Sequence, residues 1–269
     1  MECADQCHFQ KRYWIALWAT CFAFSRNCKS DAVQSKDKCD GCWLRRWLSW
    51  NSTCYFISWD EFLSGGIPNG VITDIYGGSG TGKTQLLFQI CINAIKNGGN
   101  VLYQDTTGSF RPERILEIQK HQNFTFDILE KITVSRIINT SEQIKSIDIM
   151  NASNFSLIVI DNITDLFSYE YPKEDTTFEK NSLFIKYLHN LSLIAINKKI
   201  PIVITNMIRN IEGTEMENMR TAIDPFTHIK IKLTKISSKF HGEIRWLLHQ
   251  THFSYKIHAA GLSNYTEDI

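Results

Sequence analysis

Eight consecutive residues, Gly77, Gly78, Ser79, Gly80, Thr81, Gly82, Lys83 and Thr84, fit the pattern G-x-x-x-x-G-K-[ST]. They follow a short apolar run with strand character and precede a run with helical spacing, the two contexts that give this pattern its meaning. Glycines there let backbone N–H groups converge on an anion, and the helix start behind them adds its dipole. In such a loop the lysine reaches the outer phosphates and the hydroxyl at the Thr84 position ligates Mg²⁺. A glycine-rich turn without a ligand is the competing reading, and the strand and helix on either side argue against it. Asp161 closes the apolar run FSLIVID, at the strand end where ligands of open α/β sheets collect. An aspartate ending a strand is common by itself; paired with a phosphate loop it is a metal-site candidate. The expected cofactors are therefore ATP and Mg²⁺.

These residues need a frame. Strand-like runs at 71–76, 101–105, 132–137, 157–160 and 201–205 alternate with helical runs at 83–96, 112–120, 141–150 and 178–197. Leu86, Leu87, Ile90 and Ile95 share one side of the first helix, and Gly98-Gly99 stops it. The 141–150 helix is expected to open on a Ser-Glu cap. Alternation of this kind predicts a mostly parallel sheet flanked by helices. After residue 228 the pattern changes to period two, at 228–233, 243–248 and 253–257, with a turn expected at Phe240-His241-Gly242. The fold class is thus α/β, with antiparallel strands at the C-terminal edge and one core domain over residues 55–269.

With 29 Lys and Arg against 28 Asp and Glu in 269 residues, no global field points to nucleic acid, so any DNA contact has to come from local patches. Composition does divide the chain. Seven of the eight cysteines lie in the first 54 residues, whereas Ile15 is the one isoleucine there against 34 beyond. A break this sharp separates segments under different constraints. Cys3, Cys7, Cys39 and Cys42 have zinc-ligand spacing, although no hairpin pattern flanks them. The apolar run 13–24 has the length of a signal-peptide core and is too short to cross a bilayer; export would also part the core from cytosolic ATP. The favoured reading is an N-terminal extension without a fold of its own, lying upstream of the natural start or disordered. The expected location is cytoplasmic, with no membrane partner.

Longer motifs narrow the reading. WDEFLSGGIPNGVITDIYG, GKTQ, DTTGSFRPER, VIDNITDLFSYEY and PIVITNM occur in that order, and over residues 59–261 the chain resembles the RecA-like recombinases of archaea and eukaryotes, RadA and its paralogue RadB. The resemblance implies a RecA-like P-loop ATPase core acting on single-stranded DNA in recombination and repair. It implies that the loop with Gln85 binds ATP, that Thr84 and Asp161 hold Mg²⁺, and that the flat guanidinium of Arg114 stacks on adenine. It matches residues 171–180 and 207–227 to the two DNA-facing loops, with Arg209, Arg220, Lys230 and Lys232 as the candidate DNA contacts.

The departures share a direction. Thr107 stands where the family has a water-activating glutamate, and Met207 where it has a glutamine that senses the γ-phosphate. Glu113 lies too far along its helix to substitute. Residues 206–224 carry Arg209 and Arg220 against Glu212, Glu215, Glu217 and Asp224, which opposes phosphate contact. No helix-hairpin-helix pattern or phenylalanine-x-x-alanine docking peptide precedes the core, and the tail HQTHFSYKI lacks a proline-containing cap. The expectation is a RadB-like paralogue or recombination mediator with weak ATPase, acting through DNA or the main recombinase. The alternatives are a regulatory RecA-superfamily protein with no DNA role, and a DNA-dependent ATPase using another carboxylate.

Overall fold

The structure is a computed structural model that describes residues 66–122, 127–172, 176–211, 214–246 and 249–265. The zinc, signal-peptide and extension readings of residues 1–54 lie outside the described residues. In chain order the elements are β1 (Ile72–Gly77), α1 (Lys83–Lys96), β2 (Val101–Asp105), α2 (Pro112–His121), β3 (Ile132–Arg136), α3 (Thr140–Ala152), β4 (Leu157–Asp161), α4 (Asp165–Glu170) and α5 (Thr177–Lys198). There follow β5 (Ile202–Ile211), β6 (Thr214–Glu217), α6 (Arg220–Ile223), β7 (Ile229–Ile236), β8 (Lys239–Trp246), β9 (His249–His258) and β10 (Gly261–Asn264).

One sheet runs β3-β2-β4-β5-β1-β7-β8-β9-β10 from edge to edge, with β6 paired to β5 beyond the sheet proper. The six strands from β3 to β7 pair in parallel, and β7 to β10 pair antiparallel. Every residue of β1, β2 and β4 is buried, because helices cover both faces. Phe88, Ile90 and Ile95 of α1 pack with Ile115 and Ile118 of α2 on one face. Phe184, Leu188 and Leu191 of α5 pack with Met150 of α3 on the other. Each such side chain contributes about 1.5–3 kcal/mol by leaving water. The chain leaves β1 toward β2 and later returns to the opposite side of β1 as β7, so β1 sits at the point where strand order reverses. That is where a crevice opens at the strand C-termini.

The expected α/β architecture is present, and two local readings are corrected. Helix α3 is capped by Asn139, whose side chain accepts from Glu142 N at 2.8 Å while the Glu142 carboxylate accepts from Ile138 N at 3.2 Å. Asparagine at the turn before Thr140 competes better for this role than Ser141 inside the helix. The β7–β8 hairpin turns at Ser237-Ser238, with Ser237 at φ 55°, and Phe240 to Gly242 belong to β8. Gly242 is a glycine because Phe253 lies across it: a Cβ there would come within 2.0 Å of the Phe253 ring. Glycine marked close approach, not a turn.

Lys230 ties separate segments of the chain together. It pairs in register with Asp74 of β1, and its ammonium lies 3.6 Å from Asp74, 2.5 Å from Glu217 and 5.3 Å from the Tyr76 ring centroid, with Asp224 as a further partner. Engaged in this way, its charge is shared among three carboxylates. Asp74 is fully buried. Burial pushes its carboxyl well above the usual range, Glu217 pushes the same way, and Lys230 pulls back without prevailing. Lys230 itself loses to burial but gains more from Asp74, Asp224 and Glu217, so its pKa is raised.

A group whose folded pKa is raised contributes stability at low pH and loses it as pH climbs through that folded pKa. Asp74 should therefore destabilise the protein progressively as pH rises, while Lys230 keeps its contribution until the alkaline limit. Asp74→Asn, which keeps the shape and cannot ionise, should flatten the fall in thermal stability from the ordinary carboxyl range toward alkaline pH. Thermal denaturation across that range checks it. A variant less stable than wild type by about 1 kcal/mol or more at every pH would mean that Lys230 holds Asp74 ionised.

Candidate nucleotide-binding site

The phosphate loop leaves β1 at Gly77, wedged against β7: a Cβ there would meet Leu233 O at 2.2 Å, a contact with backbone that cannot yield. Gly78 has more room, its nearest neighbour being Ile208 Cδ1 at 3.7 Å. Thr81 ties the loop internally to Gly78 O at 2.9 Å, and Tyr255 OH of β9 donates to Thr81 O at 2.6 Å. The antiparallel strands thus brace the loop; Gln89 of α1 exchanges two hydrogen bonds with Leu262 of β10 for the same purpose. Gly82, at φ 90°, is the N-cap of α1 and offers no side chain, so the first-turn N–H groups have no capping partner from it. Lys83 donates to Gly77 O at 2.9 Å and Gly78 O at 2.8 Å, folding its ammonium across the mouth of the loop. Burial lowers its pKa; Asp161 and Asp165 act the other way.

Asp161 gathers hydroxyls from four parts of the chain. Its Oδ2 accepts from Thr84 at 2.7 Å, Tyr103 at 2.9 Å and Ser109 at 3.1 Å, and its Oδ1 accepts from Thr205 at 2.5 Å. Thr84 and Asp161 were expected to meet and they do. Tyr103, Ser109 and Thr205 were missed, since lone hydroxyls on separate elements carry no spacing signal.

Thr107 sits on a loop that Asp105 builds. Asp105 Oδ1 accepts from the N–H groups of Thr107, Gly108 and Ser109 at 2.7–3.1 Å, and Oδ2 accepts from Phe110 N at 3.2 Å. Arg136 of β3 closes the back, 3.3 Å from Asp105 Oδ1. The Thr107 hydroxyl lies 2.8 Å from Ser109 Oγ and 3.3 Å from Asp105 Oδ1. Thr107, Ser109 and Asp161 therefore form a chain of hydroxyl contacts along the cleft wall. Glu113 is exposed on α2, as expected of a surface residue.

The cleft holds about 460 Å³ and is lined by Lys83, Thr84, Gln85, Arg114, Asp161 and Met207 among others. This volume suits a nucleotide-sized ligand. At its far end Arg114 donates from Nε to Gln85 at 2.7 Å, and from its other nitrogens to Glu117, Ala259 O and His258 O. With its edges engaged, the guanidinium keeps its flat faces for stacking. Phe88 also lines the cleft and was not foreseen.

Apart from residues 212–213, which lie outside the described residues, the segment matched to the second DNA-facing loop is strand, turn and helix. β5 continues to Ile211 and pairs with β6, and α6 follows. Asn206 fixes the base of this hairpin, donating to Glu217 at 3.2 Å and Asn218 O at 2.8 Å. Arg209 is exposed on the hairpin, Arg220 pairs with Asp224 at 3.1 Å, and Lys232 is half-buried on β7. Arg220 and Lys230 share the Asp224 carboxylate, and Lys232 lies two residues beyond Lys230 on β7. Of the first loop, 173–175 lie outside the described residues.

The residues fit a magnesium nucleotide. Among the described residues no group of three or more His, Cys, Asp or Glu is placed to cage a metal. Mg²⁺ needs none, because it takes one or two protein oxygens and completes its shell with phosphate and water. Thr84 and Asp161 offer hard oxygens beside the loop.

The family model Rad51 matches residues 52–229. The chain is 33% identical over 160 residues to DNA repair and recombination protein RadA of Cenarchaeum symbiosum (strain A), covering 55% of this chain and 40% of that one. It is likewise 33% identical over 160 residues to RadA of Aeropyrum pernix, covering 55% and 50%. It is 31% identical over 169 residues to DNA repair protein RAD51 homolog B of Zea mays, covering 58% and 50%. The chain spans half or less of the length of these relatives. With the family model covering more than half of the chain, the phosphate loop and Asp161 included, this chain belongs to the Rad51 family.

Proposed function

We propose that this protein is a RadB-like member of its family, a recombination mediator that binds ATP·Mg²⁺ and uses it as a state to be held more than as fuel. The relatives named for DNA repair and recombination support the process. The observation that carries the finer reading is the Thr107 hydroxyl, committed to Ser109 and Asp105 where a water-orienting carboxylate belongs. Asp161 is the one carboxylate among the described residues lining the cleft, and four hydroxyls occupy it.

In this reading Lys83 exchanges the carbonyls of Gly77 and Gly78 for phosphate oxygens, and the loop N–H groups from Gly78 to Thr84 complete the cradle. Gln85 steadies Arg114, whose face meets the base. Thr84 and Asp161 hold the magnesium, which neutralises phosphate charge when bound. A hydroxyl cannot take a proton from water near neutral pH, so turnover falls by ~10²–10⁴-fold relative to a carboxylate at the same place. ATP can still act as a switch if it favours one conformation by a few kcal/mol.

Single-stranded DNA and the main recombinase are the proposed partners. The acidic residues of 206–224 weigh against DNA less than they do in the sequence, because Lys230 engages both Glu217 and Asp224. A regulatory role without DNA is the second reading, favoured by the carboxylates that Arg220 and Lys230 already hold.

Filter binding of single-stranded DNA by the full chain, with and without ATP·Mg²⁺ at low and moderate salt, separates the two. Retention that ATP strengthens and salt weakens supports the mediator; no retention at low salt leaves the regulatory reading. Gly77→Ala should lose nucleotide binding and stability, by about 1–3 kcal/mol or more, because its Cβ strikes backbone. Gly78→Ala should fold normally, its Cβ meeting the nearest atom at ordinary contact distance. Nucleotide titrations and melting curves of the pair check this; equal effects would mean that the loop is not held as described.

A further inference from the structure

Two hydroxyls and one carboxylate stand in series along the cleft wall. Thr107 is exposed, Ser109 is half-buried and Asp161 is buried, and all three line the same cleft as Lys83. The Thr107 hydroxyl donates to Ser109 Oγ at 2.8 Å, and the Ser109 hydroxyl donates to Asp161 Oδ2 at 3.1 Å. Asp105 Oδ1 is the more distant acceptor for Thr107, at 3.3 Å, and three backbone N–H groups already occupy it. The series therefore has a direction: an exposed hydroxyl at one end, a carboxylate able to take a proton at the other. The loop that carries it is fixed. Asp105 gathers the four consecutive N–H groups from Thr107 to Phe110, and the Arg136 guanidinium lies over Gly108, 3.2 Å from where a Cβ would stand. A hydroxyl joined to a base through hydrogen bonds, with both held by their surroundings, is the arrangement that activates a side-chain nucleophile. A hydroxyl too weakly basic to deprotonate water can itself stand in water's place.

We propose that Thr107 is a phosphoacceptor, modified within its own chain by a nucleoside triphosphate in the cleft, with Ser109 and Asp161 as the proton relay. The proposal rests on the nucleotide reading of the site and adds a modification to it. In the step, Thr107 Oγ1 forms a bond to the γ-phosphorus while the bond from that phosphorus to the bridging oxygen breaks, and the bonding electrons leave with the nucleoside diphosphate. The Thr107 proton passes to Ser109 Oγ as the Ser109 proton passes to Asp161 Oδ2. Ser109 ends as it began, and Asp161 later returns its proton to solvent. Lys83 offsets the charge of the group transferred. Each chain reacts once, because the acceptor is consumed, and this accords with a protein that holds nucleotide more than it turns it over. The phosphothreonine formed lies in the same cleft as Lys83. It leaves negative charge there after the diphosphate has gone and opposes the entry of a second triphosphate.

The test uses the full chain with γ-labelled ATP and Mg²⁺, read by peptide mass spectrometry and by nucleotide titration. Wild type should acquire one phosphoryl group, on Thr107, at a rate independent of chain concentration. Thr107→Val should acquire none, and Thr107→Ser should restore the label as phosphoserine. Ser109→Ala should slow labelling by ~10²-fold or more, the contribution of a positioned proton acceptor. The phosphorylated chain, freed of nucleotide, should bind a non-hydrolysable triphosphate analogue about tenfold more weakly than the unmodified chain does, and ADP within about twofold, since phosphate meets phosphate only in the first case. Wild type that binds ATP and gains no phosphate, or gains it at another residue, overturns the proposal. So does label that persists in Thr107→Val, or in Lys83→Ala, which would trace it to another kinase in the preparation. A labelling rate that rises with chain concentration also overturns it, because the acceptor would then belong to a neighbouring chain. Wild type that binds no ATP fails at the nucleotide reading itself, and the phosphoacceptor falls with it; the wild-type titration tells that case from the others.

Discussion

The Asp161 carboxylate is the point on which the site is organised. It joins α1 through Thr84, β2 through Tyr103, the following loop through Ser109 and β5 through Thr205. Hydrogen bonds to an ionised group contribute about 1.5–3 kcal/mol each, and a buried carboxylate without them would cost more than it returned. The four donors therefore have to converge, and convergence fixes how far β2, β4 and β5 stagger at their C-terminal ends. The phosphate loop, the Asp105-built loop and the start of the hairpin hang from those strand ends. A shift in any one of them would be felt at Asp161.

A second buried charge group secures the other side. Lys230, Asp74 and Glu217 join β7, β1 and β6, so the hairpin rests on the strand that carries the phosphate loop. Asp74 precedes Gly77 by three residues. Nucleotide and hairpin are thus mechanically close through the sheet as well as through the cleft. The arrangement explains why a segment expected as a loop is ordered at its base.

Much of this was legible in the sequence. The helix at 83–96 and the strand at 101–105 were read at their observed bounds, because strong apolar periodicity and flanking glycines left little freedom. The meeting of Thr84 and Asp161 followed from motif context. Other features depend on contacts that spacing does not encode. Gly242 looked like a turn because sequence cannot show Phe253 lying across it. Lys230 looked like a surface lysine on an alternating strand because Asp74 and Glu217 come from distant segments. Tyr103, Ser109 and Thr205 reach one carboxylate from three elements, and no one-dimensional pattern announces that.

Thr107 is the residue that decides between holding and hydrolysing the nucleotide. The direct measurement is steady-state ATP turnover by the full chain, with and without single-stranded DNA, beside Thr107→Glu. The structure-based reading predicts a wild type that binds ATP and is nearly inert, and a variant that gains turnover stimulated by DNA. A wild type that already turns over at a DNA-stimulated rate, which the glutamate cannot raise, would contradict it and make this protein a working DNA-dependent ATPase with its water positioned by another group.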